Sequence, residues 1–343
     1  MNTGDLTIQP REWVDLDAQV VAESSQNQAF VILNPVAGQS SPEQVRQILD
    51  STLGAKGWQY TIYETTGKDD FAAQVRRAKQ SGCKVVIAGG GDGTISAVAQ
   101  HLVNTDIPLA ILPLGTANVL SLELGVPQDL GQAVKLLVDE HEEFELDLMQ
   151  IGNRYFILQV GVGIDAEMIK DTPREAKRRI GRLAYIITLL GKLFGYRSHR
   201  FILQVDGRKF RTRAWQVLLA NAGTLGTPPF RWGPDIHPDD GELDLCIVKV
   251  RTLSDYPRLA WQLLAGHYQD SPNIAYVRVR NSATIGSRKP LPVQADGEII
   301  GHTPIQIKVI RNGVRVIVPP RPERETASPV EIAEEADERR SGQ

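Results

Sequence analysis

The stretch Ala88–Ala99, AGGGDGTISAVA, constrains this chain more than any other. It follows the apolar run Lys84-Val85-Val86-Ile87, read as a buried strand, and opens a segment with Ile95, Val98, Ala99 and Leu102 at helical spacing. Gly89, Gly90, Gly91 and Gly93 have no Cβ, so backbone N–H groups can approach an anion that larger side chains would hold away. The spacing predicts Thr94 as N-cap of a helix over 95–103 whose positive end faces that anion, with phosphate the natural candidate. Asp92 beside a phosphate calls for a divalent cation between them, hence a nucleotide–Mg²⁺ complex. Alone, the same residues also read as a glycine-rich turn with an incidental Asp.

The surrounding chain supplies the context. Strand patterns at Ala29–Leu33, Trp58–Tyr63, Lys84–Ala88 and Leu109–Leu112 alternate with helical patterns at Glu43–Leu53, opened by Ser41-Pro42, and at Phe71–Lys79. Such alternation predicts a parallel sheet covered by helices, with its ligand site beyond the carboxyl ends of the strands. Three loops at that edge carry phosphate-friendly chemistry: Asn34-Pro35-Val36-Ala37-Gly38, the glycine loop, and Pro113-Leu114-Gly115-Thr116-Ala117-Asn118. Thr65 adds a hydroxyl there. Each loop alone is an ordinary turn, but three at one edge can serve one nucleotide.

The combination Asn-Pro-x-x-Gly, Gly-Gly-Asp-Gly-Thr and Pro-x-Gly-Thr-x-Asn resembles the catalytic domain of the diacylglycerol kinase and sphingosine kinase superfamily, from about Phe30 to Pro319. The resemblance implies an N-terminal three-layer α/β nucleotide-binding domain of NAD kinase/phosphofructokinase-like fold, followed by an antiparallel β-sandwich domain. It also implies an ATP site at Asn34, Pro35, Gly38, Thr65, Gly89, Gly90, Gly91, Asp92, Gly93, Thr94, Gly115, Thr116 and Asn118, with Asp92 on the Mg²⁺ side. There is no Walker-type Gly-Lys-Ser/Thr.

The second half changes character to short strand patterns: 144–150, 154–160, 201–205, 209–220, 243–250, 274–280, 305–310 and 314–318. Asp206-Gly207, Asp240-Gly241 and Asn312-Gly313 read as turns between them. The expected organisation is an extension over 1–28, the ATP-binding domain over 29–143, a β-sandwich lipid-substrate domain over 144–320, and a disordered tail over 321–343, rich in Pro, Glu and Arg. Gly161-Val162-Gly163-Ile164-Asp165-Ala166 is similar to a family segment lining the interdomain cleft; by residue type it is a tight turn, with Asp165 equally a structural cap. His237-Pro238-Asp239-Asp240-Gly241-Glu242 resembles the family's structural Mg²⁺ loop, which implies the Asp240 carboxylate and the carbonyls of His237 and Glu242 as ligands. An Asp-Gly hairpin accounts for the same residues.

Phosphoryl transfer to an alcohol needs a carboxylate to take the hydroxyl proton. Asp296-Gly297-Glu298, between strand patterns 291–295 and 299–301, matches the family's Asp-Gly-Glu motif. Asp296 is the expected general base, and Glu298 the alternative base or a metal-side partner. The expected activity is therefore ATP- and Mg²⁺-dependent phosphorylation of a hydroxyl of diacylglycerol or a related lipid. An NAD kinase, which shares the Gly-Gly-Asp-Gly-Thr loop, and a lipid- or nucleotide-binding protein without turnover are the alternatives.

Charge bears on where such a lipid is met. A net charge of −3 gives no global attraction to nucleic acid or membrane, but residues 174–200 gather Arg174, Lys177, Arg178, Arg179, Arg182, Lys192, Arg197 and Arg200 around Leu183, Ile186, Ile187, Leu190 and Phe194. This basic amphipathic segment reads either as a peripheral contact with an anionic bilayer or as a helix packed on the sandwich. The start lacks signal-peptide character, no apolar run reaches the length of a membrane span, and Cys83 and Cys246 have no metal-ligand spacing. A cytoplasmic protein that meets its lipid at the membrane surface, binds no nucleic acid and forms a homodimer through the second domain is expected.

Overall fold

The computed structural model describes residues 27–38, 40–164, 166, 198–224, 231–233, 235–249, 255 and 271–321. The N-terminal extension through residue 26, Asp165, the basic segment through residue 197 and the tail from residue 322 lie outside the described residues.

The first half begins with four parallel strands, β1 (Gln28–Leu33), β2 (Gln59–Glu64), β3 (Val85–Gly90) and β4 (Leu109–Pro113), in spatial order β2-β1-β3-β4. β3 and β4 are buried at every residue, which is why they read as unbroken apolar runs. Between them lie α1 (Pro42–Thr52), α2 (Phe71–Gln80) and α3 (Asp92–Ala99), and after β4 come the short α4 (Val119–Glu123) and α5 (Leu130–Lys135). Ser41 opens α1 with a reciprocal capping box to Gln44, and Asp70 caps α2 through the N–H of Ala73. The chain steps one way from β1 to β2 and the other way from β2 to β3 and β4. Right-handed crossovers therefore place α1 on one face and α2 and α3 on the other. The packing agrees, α2 against α3 and α1 against α5.

One boundary departs from the expected one at the glycine loop. The helix starts at Asp92, not after Thr94, and its N-cap is Gly91 in extended conformation with no side chain bonding the first turn. Asp92, an acid in the first turn, is placed where the helix dipole favours it.

The rest is antiparallel: β5 (Glu142–Ile151), β6 (Arg154–Phe156), β7 (Gln159–Gly163), β8 (His199–Val205), β9 (Arg208–Ala214), β10 (Gln216–Ala220), β11 (Leu243–Val248), β12 (Ile274–Val279), β13 (Ser282–Ser287), β14 (Pro292–Ala295), β15 (Glu298–His302) and β16 (Ile305–Val318). One sheet runs β12-β11-β10-β7-β14-β15; the other continues from β4 as β16-β13-β8-β9, with β5 also paired to β16 and β6 paired to β5. Phe201, Leu203, Val217, Leu245, Ile285, Val293 and Ile307 fill the space between the sheets. This is the β-sandwich of the second half. None of the described helices is long and apolar enough to cross a membrane.

Four expected boundaries are corrected. The run 209–220 is two strands, because the chain leaves one sheet for the other at Trp215. The run 154–160 likewise breaks at Ile157-Leu158 between β6 and β7. Gly161–Gly163 is strand, not turn, and pairs with both β10 and β14. Asn312-Gly313 is a bulge within the single strand β16: three residues stand opposite Asp147 alone, whose carboxylate accepts the Asn312 N–H at 2.9 Å. β16 also pairs in parallel with β4 at Val316–Leu109 and buries Val314, Val316 and Val318 in the first-half core.

Candidate functional site

β1 and β3 are the neighbours between which the chain reverses its direction of winding, and the crevice beyond their carboxyl ends is where an open parallel sheet accepts ligands. Backbone bonds tie the three loops together there. Gly89 O accepts the Asn34 N–H at 2.8 Å, Gly90 O accepts the Leu114 N–H at 3.0 Å, and the Thr65 N–H reaches Leu33 O at 2.8 Å. The Asn34 amide donates to Thr94 Oγ1 at 3.1 Å. Two glycines are required by close approach: a Cβ on Gly38, whose φ is +70°, would lie 2.0 Å from Leu114 O, and one on Gly115 would lie 2.5 Å from Gly91 Cα. The loops of Asn34, Gly91 and Gly115 thus form one cradle around the uncapped start of α3, with Thr116 exposed beside it. Asn118 differs from expectation. It is buried, with its amide donating to Pro113 O at 3.2 Å and Gln128 Oε1 at 3.1 Å, so it builds the loop from within.

Across the cleft stands Asp296, on the turn between β14 and β15, with φ +45°. The break between β6 and β7 explains its setting. Freed from the ladder, three successive N–H groups turn to this carboxylate: Ile157 to Oδ2 at 2.8 Å, and Leu158 and Gln159 to Oδ1 at 2.9 and 3.1 Å. Ser96, one turn along α3 from Asp92, donates its hydroxyl to Oδ2 at 2.6 Å. Burial pushes the Asp296 carboxyl up from its ordinary range against the pull of those hydrogen bonds. Burial likewise raises Asp92, and the charge of Asp296 adds to the rise, while the Leu120 and Val119 N–H groups oppose it. Asp92 and Asp296 thus place two interacting carboxyls beside a helix N-terminus.

Glu298 lies beyond the turn, with a side chain 58% exposed, and faces Arg154 Nη2 at 3.4 Å. Arg154 also lies over the Phe156 ring, 4.9 Å from its centroid. Gly93, Ser96, Gln100, Arg154, Asp296 and Glu298 border one open cleft. Ser96 and Arg154 escaped sequence reasoning. Ser96 is signalled only by its i+4 spacing from Asp92, and Arg154 carries no signal in a mixed polar turn.

The loop expected to hold Mg²⁺ is tied together by its own hydrogen bonds and ion pairs. Asp240 Oδ1 accepts the Glu242 N–H at 3.0 Å, and Arg278 Nη1 meets Asp240 Oδ2 at 3.1 Å and Glu242 Oε2 at 3.3 Å. Arg280 Nε binds Glu242 Oε1 at 2.6 Å, and the Gly241 N–H is held by Asp147 Oδ2 at 2.6 Å. Guanidinium groups occupy the carboxylates, half-buried His237 stands at the loop's start, and no set of three or more His, Cys, Asp or Glu side chains among the described residues is arranged to hold a metal. The ligands the resemblance implies are the Asp240 carboxylate and the carbonyls of His237 and Glu242; of these, the Asp240 carboxylate already receives the Glu242 N–H and Arg278.

Comparison with known proteins agrees with this geometry. Residues 28–151 match the model of the diacylglycerol kinase catalytic domain, and residues 158–318 that of the YegS C-terminal NAD kinase beta sandwich-like domain. An uncharacterized protein of Synechocystis is 29% identical over 304 residues, 84% of this chain and 70% of that protein. A diacylglycerol kinase of Bacillus subtilis is 27% identical over 295 residues, 85% of this chain and 96% of that protein. The crystal structure of a diacylglycerol kinase from Bacillus anthracis superposes with a TM-score of 0.71 at 25% identity, covering 86% of this chain and 98% of that one. With both domains matched in order and the cradle and the Asp-Gly-Glu turn facing each other across the cleft, the chain belongs to the diacylglycerol kinase superfamily.

Proposed function

We propose that this chain is a lipid kinase that transfers the γ-phosphoryl group of ATP, with Mg²⁺, to a hydroxyl of diacylglycerol or a related lipid met at a membrane surface. The observation that carries the reading is the meeting of the α3 N-terminus and the Asp296 turn across one cleft, bridged at Ser96. The uncapped first turn of α3 and the loops of Asn34, Gly91 and Gly115 bind and orient the triphosphate. Asp92 would hold Mg²⁺, which would supply neutralisation of the charge on the transferred group. Asp296 takes the proton of the acceptor hydroxyl; its elevated proton affinity suits a base.

The test is transfer from labelled ATP to a panel of lipids in mixed micelles, by wild type and by Asp296→Asn. Labelled lipid with wild type and a fall of about 10²-fold or more in the variant is the expected result. Label in NAD instead of lipid turns the reading to an NAD kinase, and ATP binding with no transfer turns it to a binding protein.

A further inference from the structure

An ionised carboxylate offers about four lone-pair positions, and the four donors around Asp296 fill them in pairs. Oδ2 receives Ser96 Oγ and the Ile157 N–H, and Oδ1 receives the Leu158 and Gln159 N–H groups. Three of these donors are backbone groups, Ile157 and Leu158 in the link between β6 and β7 and Gln159 at the start of β7, and cannot turn away without dismantling that junction. The fourth is a hydroxyl on a rotatable side chain, it comes from the opposite half of the molecule, and it borders the cleft. Asp296 borders the cleft as well, but its lone-pair positions are taken, so a substrate hydroxyl bonds to the carboxylate only by displacing a donor, and Ser96 is the one of the four on a rotatable side chain.

We infer that Ser96 is a catalytic residue that relays the acceptor's proton to Asp296, an inference that rests on the kinase reading. As the acceptor oxygen bonds to the γ-phosphorus, the bond from that phosphorus to the β–γ bridging oxygen breaks and its electron pair leaves with ADP. The acceptor's proton passes to Ser96 Oγ while the hydroxyl proton of Ser96 moves along the 2.6 Å bond to Asp296 Oδ2. After the product departs, the proton returns from Asp296 to solvent. Ser96 is also well placed to hold its geometry, since the α3 backbone on which it stands begins at the phosphate cradle.

Steady-state transfer and proton inventories in H₂O/D₂O mixtures, for wild type, Ser96→Ala and Ser96→Thr, test this step. A relay requires that Ser96→Ala lose about 10²-fold or more in kcat with the KM for ATP little changed, and that Ser96→Thr, which keeps the hydroxyl, recover most of the loss. The inventory should bow for wild type, with two protons in flight, and run straight for Ser96→Ala. A Ser96→Ala enzyme as fast as wild type or faster overturns the relay, because the acceptor then reaches Asp296 directly, and leaves the kinase reading standing. A loss that Ser96→Thr does not recover, with a raised KM for ATP, also overturns it and makes Ser96 a structural clamp. Wild type that labels no lipid overturns the kinase reading and the relay with it.

Discussion

Asp244 shows what burial does to a single carboxyl here. It lies within β11, 7% exposed at its side chain, with Arg278 Nε at 3.3 Å from Oδ1. Burial pushes it up to about 6, the arginine pulls it down, and Asp240 and Glu242 add to the rise. A carboxyl that holds its proton more tightly folded than unfolded stabilises the fold below its unfolded value near 4, and that stability is lost as pH rises through its folded value. Wild-type unfolding free energy should therefore carry a declining component between about pH 4 and pH 6 that Asp244→Asn lacks. Urea titrations of both proteins at pH 4, 5, 6 and 7 measure the difference. At this scale the sequence made Asp92, Asp296 and Glu298 visible because their motifs fix residue types at fixed offsets. Ser96 and the three N–H groups of 157–159 stayed hidden, because a hydrogen bond spanning 200 residues of chain leaves no local trace.

Elements were legible where one periodicity ran from end to end. The strands of the parallel half and α1 and α2 lie within a residue or two of their sequence patterns, since each is apolar on the faces it buries and α1 and α2 open on a capping residue. The reciprocal bonds of Ser41 and Gln44 define the start of α1, so Ser41→Ala should cost about 1 kcal/mol, read as a lowered urea midpoint at unchanged slope. Patterning failed where tertiary structure divides a continuous run. Nothing in Lys209–Ala220 announces that Trp215 is a corner between two sheets. Asn312-Gly313 has the composition of a hairpin turn, yet the Asp147 carboxylate from β5 holds it as a bulge. β13 was missed because only Ala283 and Ile285 of its six residues face the core.

At the scale of the whole molecule, an ion pair of Glu123 and Arg231 is among the contacts that join the halves away from the cleft. Glu123, at the end of α4 and 4% exposed at its side chain, receives Arg231 Nη2 at 2.9 Å and the Thr224 N–H at 2.8 Å. Arg231 and Thr224 face each other in a bridge of the second half. Removing one partner of a buried pair strands the other, so Glu123→Gln should lower the unfolding free energy by about 2 kcal/mol, discounted for the partial exposure of Arg231. Scanning calorimetry measures the change. β16 joins the same halves covalently, and its position in the chain has a consequence for synthesis. On a ribosome β4 emerges about 200 residues before the strand that covers its edge. At about 5–20 residues per second, the first half waits tens of seconds with an open flank. Its sheet gains the strand beside β4 only when β16, the last strand described in the second half, has been made.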